Sequence, residues 1–249
     1  MPYQYAPQRN FEAFAGGRVF YARPGQPAFP VRLADEVFQR ARAHWLAAGG
    51  SGACHIYDPV CGGGYWLAVL AYLHWQQIAK ITASDLDPEA LELARRNLGL
   101  LSPAGLQQRV TELEQLLAAY SKDSHRQALA EARAFQAQLT AFMTNQPIAV
   151  RIFQADATRA ESLSAGVANP VIDLVLADVP YGWHSQWQSA AGAAPLEQML
   201  HALQPYLTPH CVLAIASDKN QKVRHPAYRR LEQFNLGRRR VTLLALGTR

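Results

Sequence analysis

Cysteine is scarce in this sequence, and its placement argues against a small domain stabilised by a metal ion or by disulfides. The three cysteines, Cys54, Cys61 and Cys211, show no metal-ligand spacing, and one of them would stay unpaired in any disulfide framework. We therefore expect a reducing compartment, the cytoplasm, and no metal site.

Long apolar runs are also missing. No stretch approaches the roughly 18 residues that a membrane span needs. Residues 1–14, MPYQYAPQRNFEAF, have neither the basic end nor the apolar stretch of a secretory signal. We expect no membrane partner. With 249 residues, 49% of them hydrophobic, the chain is long enough for one domain with a large core, which we expect to be a monomer.

Most of the chain has no excess of basic residues, and the basic excess is concentrated near its end. Residues 217–249 carry nine Lys/Arg against two Asp/Glu, a net charge of +7, whereas the other 216 residues carry 15 against 17. Clustered Lys and Arg suit a polyanionic partner such as nucleic acid, because phosphates release counterions on contact. The alternative is a solvated face that only aids solubility.

Apolar runs rich in β-branched residues alternate with helix-length segments. The runs span residues 54–60, 80–85, 149–154, 171–179 and 211–218, and residues 228–247 offer two more strands around Gly237. Continuous apolar runs separated by helices are typical of a parallel sheet covered on both faces. The pattern predicts a doubly wound, mostly parallel seven-stranded α/β sheet with an antiparallel end.

Two segments interrupt this alternation within a predicted single domain, 1–249. Residues 1–50 form an N-terminal extension, irregular to about residue 30 and then helical, with Leu33, Val37, Phe38 and Ala41 on one helix face. Residues 101–147 replace a short link and carry two helical stripes, which predicts an inserted helical hairpin. The stripes are Leu106, Val110, Leu113, Leu116 and Leu117, then Leu129, Ala132, Phe135 and Leu139.

A glycine loop follows the first predicted strand in HIYDPVCGGGYWLAVL, residues 55–70. Backbone amides at Gly62–Gly64 could approach a ligand closely at a helix N-terminus. The spacing does not fit a dinucleotide, because Leu67 stands where the third glycine of G-x-G-x-x-G belongs. Asp58 would repel phosphate, yet it could accept hydrogen bonds from a cationic amino-acid group.

Further acids follow the next two strands. Asp85 ends the second strand, where its oxygens could accept both hydroxyls of a ribose, whereas Asp87 before Pro88 is better explained as a helix cap. Asp156, after the third strand, could bind an adenine amino group or cap the helix that follows it. A glycine loop, a ribose acid and no phosphate site favour S-adenosylmethionine as cofactor.

The motif after the fourth strand, Asp178-Val179-Pro180-Tyr181, resembles the D-P-P-Y motif of methyltransferases that modify nucleobase nitrogens. The carboxylate of Asp178 and the carbonyl of Val179 could accept N–H bonds while Tyr181 stacks on the base. Asp178 and Tyr181 are the catalytic candidates. Taken alone, the four residues could equally form a β-turn.

Aromatic and basic residues near this motif are candidates for RNA contacts. Trp183 could stack on a splayed base, as could Trp187, although an ordinary packed loop explains both, and His184 is a weaker candidate for a general base. Arg238, Arg239 and Arg240 could contact phosphates, but alternation along a strand must send at least one of them to the opposite face.

Longer segments extend the resemblance over nearly the whole chain. They are PAFPVRLADEVFQRA, DPVCGGGYWLAVLAYLH, ASDLDPEALELARRNLGLLSPAGL, ADVPYGWHSQW and LGRRRVTLLAL. They are similar to the avilamycin-resistance family of 23S ribosomal RNA guanine methyltransferases. The resemblance implies a Rossmann-like class I methyltransferase fold and S-adenosylmethionine-dependent methylation of guanine N1 in 23S rRNA or a ribosomal subunit, which gives resistance to orthosomycin antibiotics.

The resemblance also implies roles for individual residues. Asp58, Gly62 and Gly64 would hold the methionine part, Asp85 the ribose, and residues 178–181 the target base. Val179 departs from the D-P-P-Y pattern, which weakens a transfer of exocyclic-amine chemistry and is compatible with a ring nitrogen.

Two other functions stay open at this point. The enzyme could instead modify guanine N2 or adenine N6 in RNA or DNA, or the chain could be a non-catalytic RNA-binding protein that retains the fold. The presence of Asp58, Asp85 and Asp178 together argues against a pure binding protein, which needs neither a ribose acid nor an acid facing the target nitrogen.

Overall fold

A seven-stranded sheet forms the centre of the computed structural model, which describes residues 3–23, 28–144, 146–168, 170–180, 195–237 and 239–247. The strand order is β3-β2-β1-β4-β5-β7-β6; β1 to β5 pair in parallel, and β7 runs antiparallel to both of its neighbours. The strands are β1 Cys54–Asp58, β2 Ile78–Asp85, β3 Ala149–Gln154, β4 Ile172–Asp178, β5 Leu207–Asp218, β6 Tyr228–Leu236 and β7 Arg239–Leu246. The predicted doubly wound sheet with an antiparallel end is confirmed.

Helices cover both faces of the sheet. They are α1 Val31–Ala47, α2 Tyr65–His74, α3 Pro88–Gly99, α4 Pro103–Tyr120, α5 Asp123–Met143, α6 Ala160–Leu163 and α7 Pro195–Leu203. The apolar core divides accordingly. One cluster joins α1 to α5 to the first face, and a second joins α6 and α7 to the other face. We call these the α1–α5 face and the α6–α7 face.

The two interrupting segments form the predicted helices. The apolar stripe of α1, Leu33, Val37, Phe38 and Ala41, is fully buried. Helices α4 and α5 form a hairpin between α3 and β3, and their buried residues include Leu106, Val110, Leu113, Leu129, Ala132, Phe135 and Leu139. The hairpin packs on the α1–α5 face, so it contributes to the main core.

A buried carboxylate fixes the irregular N-terminal residues. Glu36 of α1 is inaccessible to solvent and accepts hydrogen bonds from the backbone N–H groups of Gln4, Tyr5 and Ala6 at 2.7–2.8 Å. The guanidinium of Arg40, one turn later, donates to Glu36 at 2.6 Å and also pairs with Glu232 of β6. Three backbone donors and one guanidinium therefore satisfy this acid, which is the condition for burying a charge.

Within the described ranges, no helix combines the length and the apolar composition that crossing a membrane requires.

Candidate functional site

Three acids converge at one edge of the sheet. Asp58, Asp85 and Asp178 are the last residues of β1, β2 and β4, and the carboxyl ends of parallel strands meet at one edge. Asp58 pairs with Ala83, two residues before Asp85, and side chains two residues apart share a face. The alternation of β4 also places Asp178 on the α1–α5 face. The sheet thus brings together the three acids that the sequence singled out.

Asp58 is the most buried of the three, with 1% of its surface exposed. Its Oδ2 accepts a hydrogen bond from the indole Nε1 of Trp66 at 2.7 Å, and its Oδ1 accepts one from the N–H of Val60 at 3.0 Å. Burial raises the pKa of Asp58 to about 8, although both hydrogen bonds favour the ionised form. Without a cationic ligand, this carboxyl group therefore holds a proton at neutral pH.

The three glycines of the loop are required for different structural reasons. A Cβ on Gly63 would lie 2.6 Å from Leu93, and one on Gly64 would lie 3.2 Å from the backbone of Ala94, so both glycines allow α3 to approach closely. Gly64 also has a positive φ of +65°, and Gly62 has one of +51°. This left-handed backbone region favours glycine at both positions. A Cβ on Gly62 would meet no atom within 4 Å, so Gly62 is the glycine that faces open space.

Asp85 borders that open space. Its Oδ2 accepts the N–H of Gly62 at 2.8 Å and its Oδ1 accepts the N–H of Asp87 at 3.0 Å. Burial raises the pKa of Asp85, an effect that interactions with the backbone N–H groups of Asp87, Gly62 and Leu86 partly oppose. Each oxygen keeps a lone pair for a further donor. The cap predicted at Asp87 is confirmed, since its side chain accepts the N–H of Glu89 at 2.9 Å.

Asp156 lies two residues beyond β3 and supports a turn. Its Oδ1 accepts the N–H of Thr158 at 2.9 Å and the hydroxyl of the same residue at 2.6 Å. The suggestion that Asp156 caps the following helix is wrong, because α6 begins at Ala160 and Arg159 occupies its cap position. Asp156 lies three residues before that cap position, and its side chain stabilises the turn that precedes α6. An adenine contact remains a prediction.

Asp178 begins the proposed base-binding motif. Val179 donates its N–H to the carbonyl of Ala216 at 3.0 Å, and its side chain packs into the core on the α6–α7 face. Only the backbone carbonyl of Val179 is therefore left for a substrate. Pro180 is the last described residue of the motif; Tyr181, Trp183, His184 and Trp187 lie outside the described residues.

The arginine cluster lies at the same edge, because β7 is antiparallel and begins where β5 ends. Asp218 pairs with Arg239, and Ser217 pairs with Arg240. Arg239 lies on the α1–α5 face with its Nε 4.0 Å from Oδ1 of Asp178, whereas Arg240 lies on the α6–α7 face and donates from its Nε to Asn235 at 3.4 Å. The predicted division of the arginines between two faces is confirmed for these two. Arg238 lies outside the described residues.

Three residues near the site were missed in the sequence. Trp66 donates to Asp58, Phe29 packs on Trp66 with ring centroids 4.7 Å apart, and the Asn97 amide donates to the carbonyl oxygens of Gly63 and Tyr21 at 2.8 and 3.1 Å. Asn97 is fully buried in α3, and a polar residue on an apolar helix face is a signal that could have identified it. Trp66 and Phe29 read as ordinary core aromatics.

Comparison with known proteins gives consistent matches over the chain. Residues 1–239 match the model of a family described as rRNA methyltransferase AviRa. The chain is 39% identical over 243 residues to a 23S rRNA (guanine(2535)-N(1))-methyltransferase of Streptomyces viridochromogenes, an alignment that covers 97% of this chain and 95% of that protein. Two solved structures of rRNA methyltransferase AviRa from the same organism give TM-scores of 0.85 and 0.86 at 38% and 37% identity, covering 98% of this chain and 96% of theirs.

Proposed function

The chain belongs to the AviRa family of rRNA methyltransferases, and on that premise we propose that it methylates N1 of a guanine in 23S rRNA and so confers orthosomycin (avilamycin) resistance. The observation that carries the proposal is the convergence of Asp58, Asp85 and Asp178 on one face of the sheet. The partner would be 23S rRNA, free or in a ribosomal subunit, and the active form a cytoplasmic monomer.

The residues present fit S-adenosylmethionine as cofactor. Gly62 offers open space at the N-terminal end of α2, Asp85 beside it keeps lone pairs for ribose hydroxyls, and the buried carboxyl of Asp58 could take up a cationic amino-acid group, directly or through water. When bound, this cofactor supplies a methyl carbon on a sulfonium sulfur, which keeps the bonding electron pair as the methyl group leaves.

Asp178 would handle the proton in the reaction. Guanine N1 carries a proton and its lone pair is delocalised, so the proton must leave as the bond from N1 to the methyl carbon forms. The carboxylate of Asp178 accepts that proton and later releases it to water. The carbonyl of Val179 would accept an N–H of the base, and Pro180 would fix the turn so that both acceptors point to the same place.

Nucleoside mass spectrometry tests the proposed function. We expect 1-methylguanosine in 23S rRNA that has been incubated with the protein and S-adenosylmethionine, with naked RNA and ribosomal subunits tried in parallel. N2-methylguanosine or N6-methyladenosine would show that the target nitrogen is wrong. If the protein bound RNA but left every nucleoside unchanged, it would be a binding protein without turnover.

Replacement of Asp85 by alanine should weaken S-adenosylmethionine binding by about 1–3 kcal/mol, because the ribose hydroxyls lose charge-assisted hydrogen bonds. Isothermal titration measures the change. Asp87→Ala is the matched control. It removes the helix cap, which should cost about 1 kcal/mol of stability, and should leave cofactor affinity as it was. Unchanged affinity in a folded Asp85→Ala protein would remove Asp85 from the site.

The proton on Asp58 should make cofactor affinity depend on pH. The pKa of about 8 means that binding of a cationic group releases this proton. Affinity should therefore rise with pH, by up to about tenfold per unit below pH 8, and level off above it. Titration calorimetry in two buffers of different ionisation enthalpy detects the released proton. Asp58→Asn should abolish the pH dependence; an equally steep dependence in that variant would assign the proton to another group.

A further inference from the structure

We propose that Arg239 is a positioning residue for Asp178, which it holds ionised and oriented, and that it is not a contact for RNA phosphate. This inference rests on the proposed function, in which Asp178 accepts the proton of the target base. It assigns different tasks to two adjacent arginines that look alike in the sequence.

Strand register brings Arg239 to Asp178. Asp178 pairs with Ala216 of β5, and Ala216 pairs with Val241 of β7. Arg239 lies two residues before Val241, so its side chain leaves the sheet on the same face as that of Asp178. The Nε of Arg239 is 4.0 Å from Oδ1 of Asp178, and the two side chains are only 25% and 31% exposed. A chain that alternates faces cannot direct Arg240 to the same acid.

Packing keeps the guanidinium of Arg239 at this place. Its Cζ lies 5.2 Å from the centroid of the Phe29 ring, a distance at which a cation is attracted to the ring face. Phe29 in turn packs on Trp66, which donates to Asp58. The guanidinium is therefore held between an aromatic ring and an acid. This environment suits an internal ion pair more than a contact to a mobile phosphate backbone.

The charges around Asp178 explain why a cation is needed. In the described part of the chain, the charged groups that face Asp178 come from three strands. They are Arg239 of β7, Asp58 of β1, which is electrostatically coupled to Asp178, and Asp218 at the end of β5 opposite Arg239. Each of these acids, when it is ionised, favours protonation of Asp178; Asp58 does so only after it has lost its own proton. A protonated Asp178 cannot accept the proton of guanine N1. An opposite charge within about 4–6 Å lowers the pKa of an acid by roughly 1–3 units, which keeps the base available.

The pH profile of methyl transfer distinguishes the two roles. Single-turnover rates are measured against pH with saturating cofactor and RNA. In Arg239→Gln we expect the midpoint of the profile to rise by about one pH unit, so that the rate falls about tenfold below the midpoint and recovers at high pH. Arg239→Lys keeps the charge and should shift the midpoint by much less. A loss of rate that is equal at every pH would overturn the inference.

RNA binding provides a second readout with a matched variant. Replacement of Arg240, on the α6–α7 face, should reduce the slope of log affinity against log salt by about 0.7–0.9, the effect of losing one phosphate contact, and leave the midpoint in place. Arg239→Gln should leave that slope as in the unmodified protein. A slope reduced by Arg239→Gln, with an unshifted midpoint, would make Arg239 the phosphate contact and contradict the proposal.

Carbon-13 NMR of the Asp178 carboxyl group separates failure of this inference from failure of the proposed function. The signal is assigned with Asp178→Asn and titrated in the protein without RNA, so no turnover is needed. A raised pKa of Asp178 in Arg239→Gln supports the inference even if the protein methylates no RNA; an unchanged pKa refutes it even if transfer is efficient. Should the glutamine variant not fold, Arg239→Met, which keeps the stem on Phe29, serves the same test.

Discussion

Asp178→Asn should lose about 10²–10⁴-fold in the rate of methyl transfer, the range expected for removing a general base. It should keep its affinity for S-adenosylmethionine and RNA. Asparagine has nearly the same shape as aspartate, so the turn through Val179 and Pro180 should remain. The amide cannot take the proton from guanine N1. Asp178 is also the acid at the end of β4, on the face that bears Asp58 and Asp85.

A single-turnover rate against pH for both proteins decides whether Asp178 acts as the base. If Asp178 only orients the target and bulk water takes the proton, the asparagine variant should fall less than about tenfold and recover as the pH rises. If Asp178 is the base, the loss should persist at high pH. Cofactor titration on the same samples shows that the site is intact.

Glu36→Ala should lower the free energy of unfolding by about 3–5 kcal/mol, the cost of breaking a buried ion pair. The variant leaves the N–H groups of Gln4, Tyr5 and Ala6 without their acceptor and deprives Arg40 of one carboxylate. For a chain of this length the midpoint of thermal unfolding should fall by on the order of 10 °C. Nothing in this change touches the three acids at the sheet edge.

Denaturant unfolding with a second glutamate variant tests this expectation. Glu114→Ala breaks the exposed pair with Arg133, and surface pairs are worth about 0–1 kcal/mol. A loss in Glu36→Ala that is no larger than in Glu114→Ala would show that the N-terminal residues contribute little to stability.

The charge of Glu36 also gives stability a pH dependence. Burial raises the pKa of Glu36, but hydrogen bonds from Ala6, Gln4, Tyr5 and Arg40 outweigh it and hold the pKa below its usual value. A lowered pKa means that this stabilisation is present above the pKa of the unfolded chain and is lost as the pH falls through the folded value. The difference in stability between the unmodified protein and Glu36→Ala should therefore shrink in acid.

Much of the fold could be predicted because its signals are local. Apolar runs and helical stripes lie in the residues themselves, and the predicted β3, Ala149–Gln154, has the observed bounds. The start of β5 was missed by four residues. Its first residues, Leu207–His210, include a proline and an exposed histidine, and they join the sheet through an irregular pairing with β4 that no local pattern shows.

Only the acids and glycines of the candidate site could be predicted from the sequence. Asp58, Asp85 and Asp178 stand at strand ends, a position that a strand pattern reveals. Trp66 and Phe29 acquire their importance from packing across elements: the Phe29 ring meets Trp66 from a segment 37 positions earlier in the chain. The pairing of Arg239 with Asp178 depends on the register of β4, β5 and β7, which tertiary structure sets.

The contacts of the N-terminal segment also affect how the protein is made. Its residues bond to partners that are synthesised much later. Tyr21 bonds to Asn97, which lies 76 positions later. Arg18 pairs with Glu131, 113 positions later, and Arg40 pairs with Glu232, 192 positions later. At roughly 5–20 residues per second, ribosomes need about 10–40 s to synthesise the interval between Arg40 and Glu232. This segment therefore leaves the ribosome long before the residues that complete its contacts. Its aromatic and charged side chains remain available to chaperones during that time, and this long-range connectivity favours slow folding.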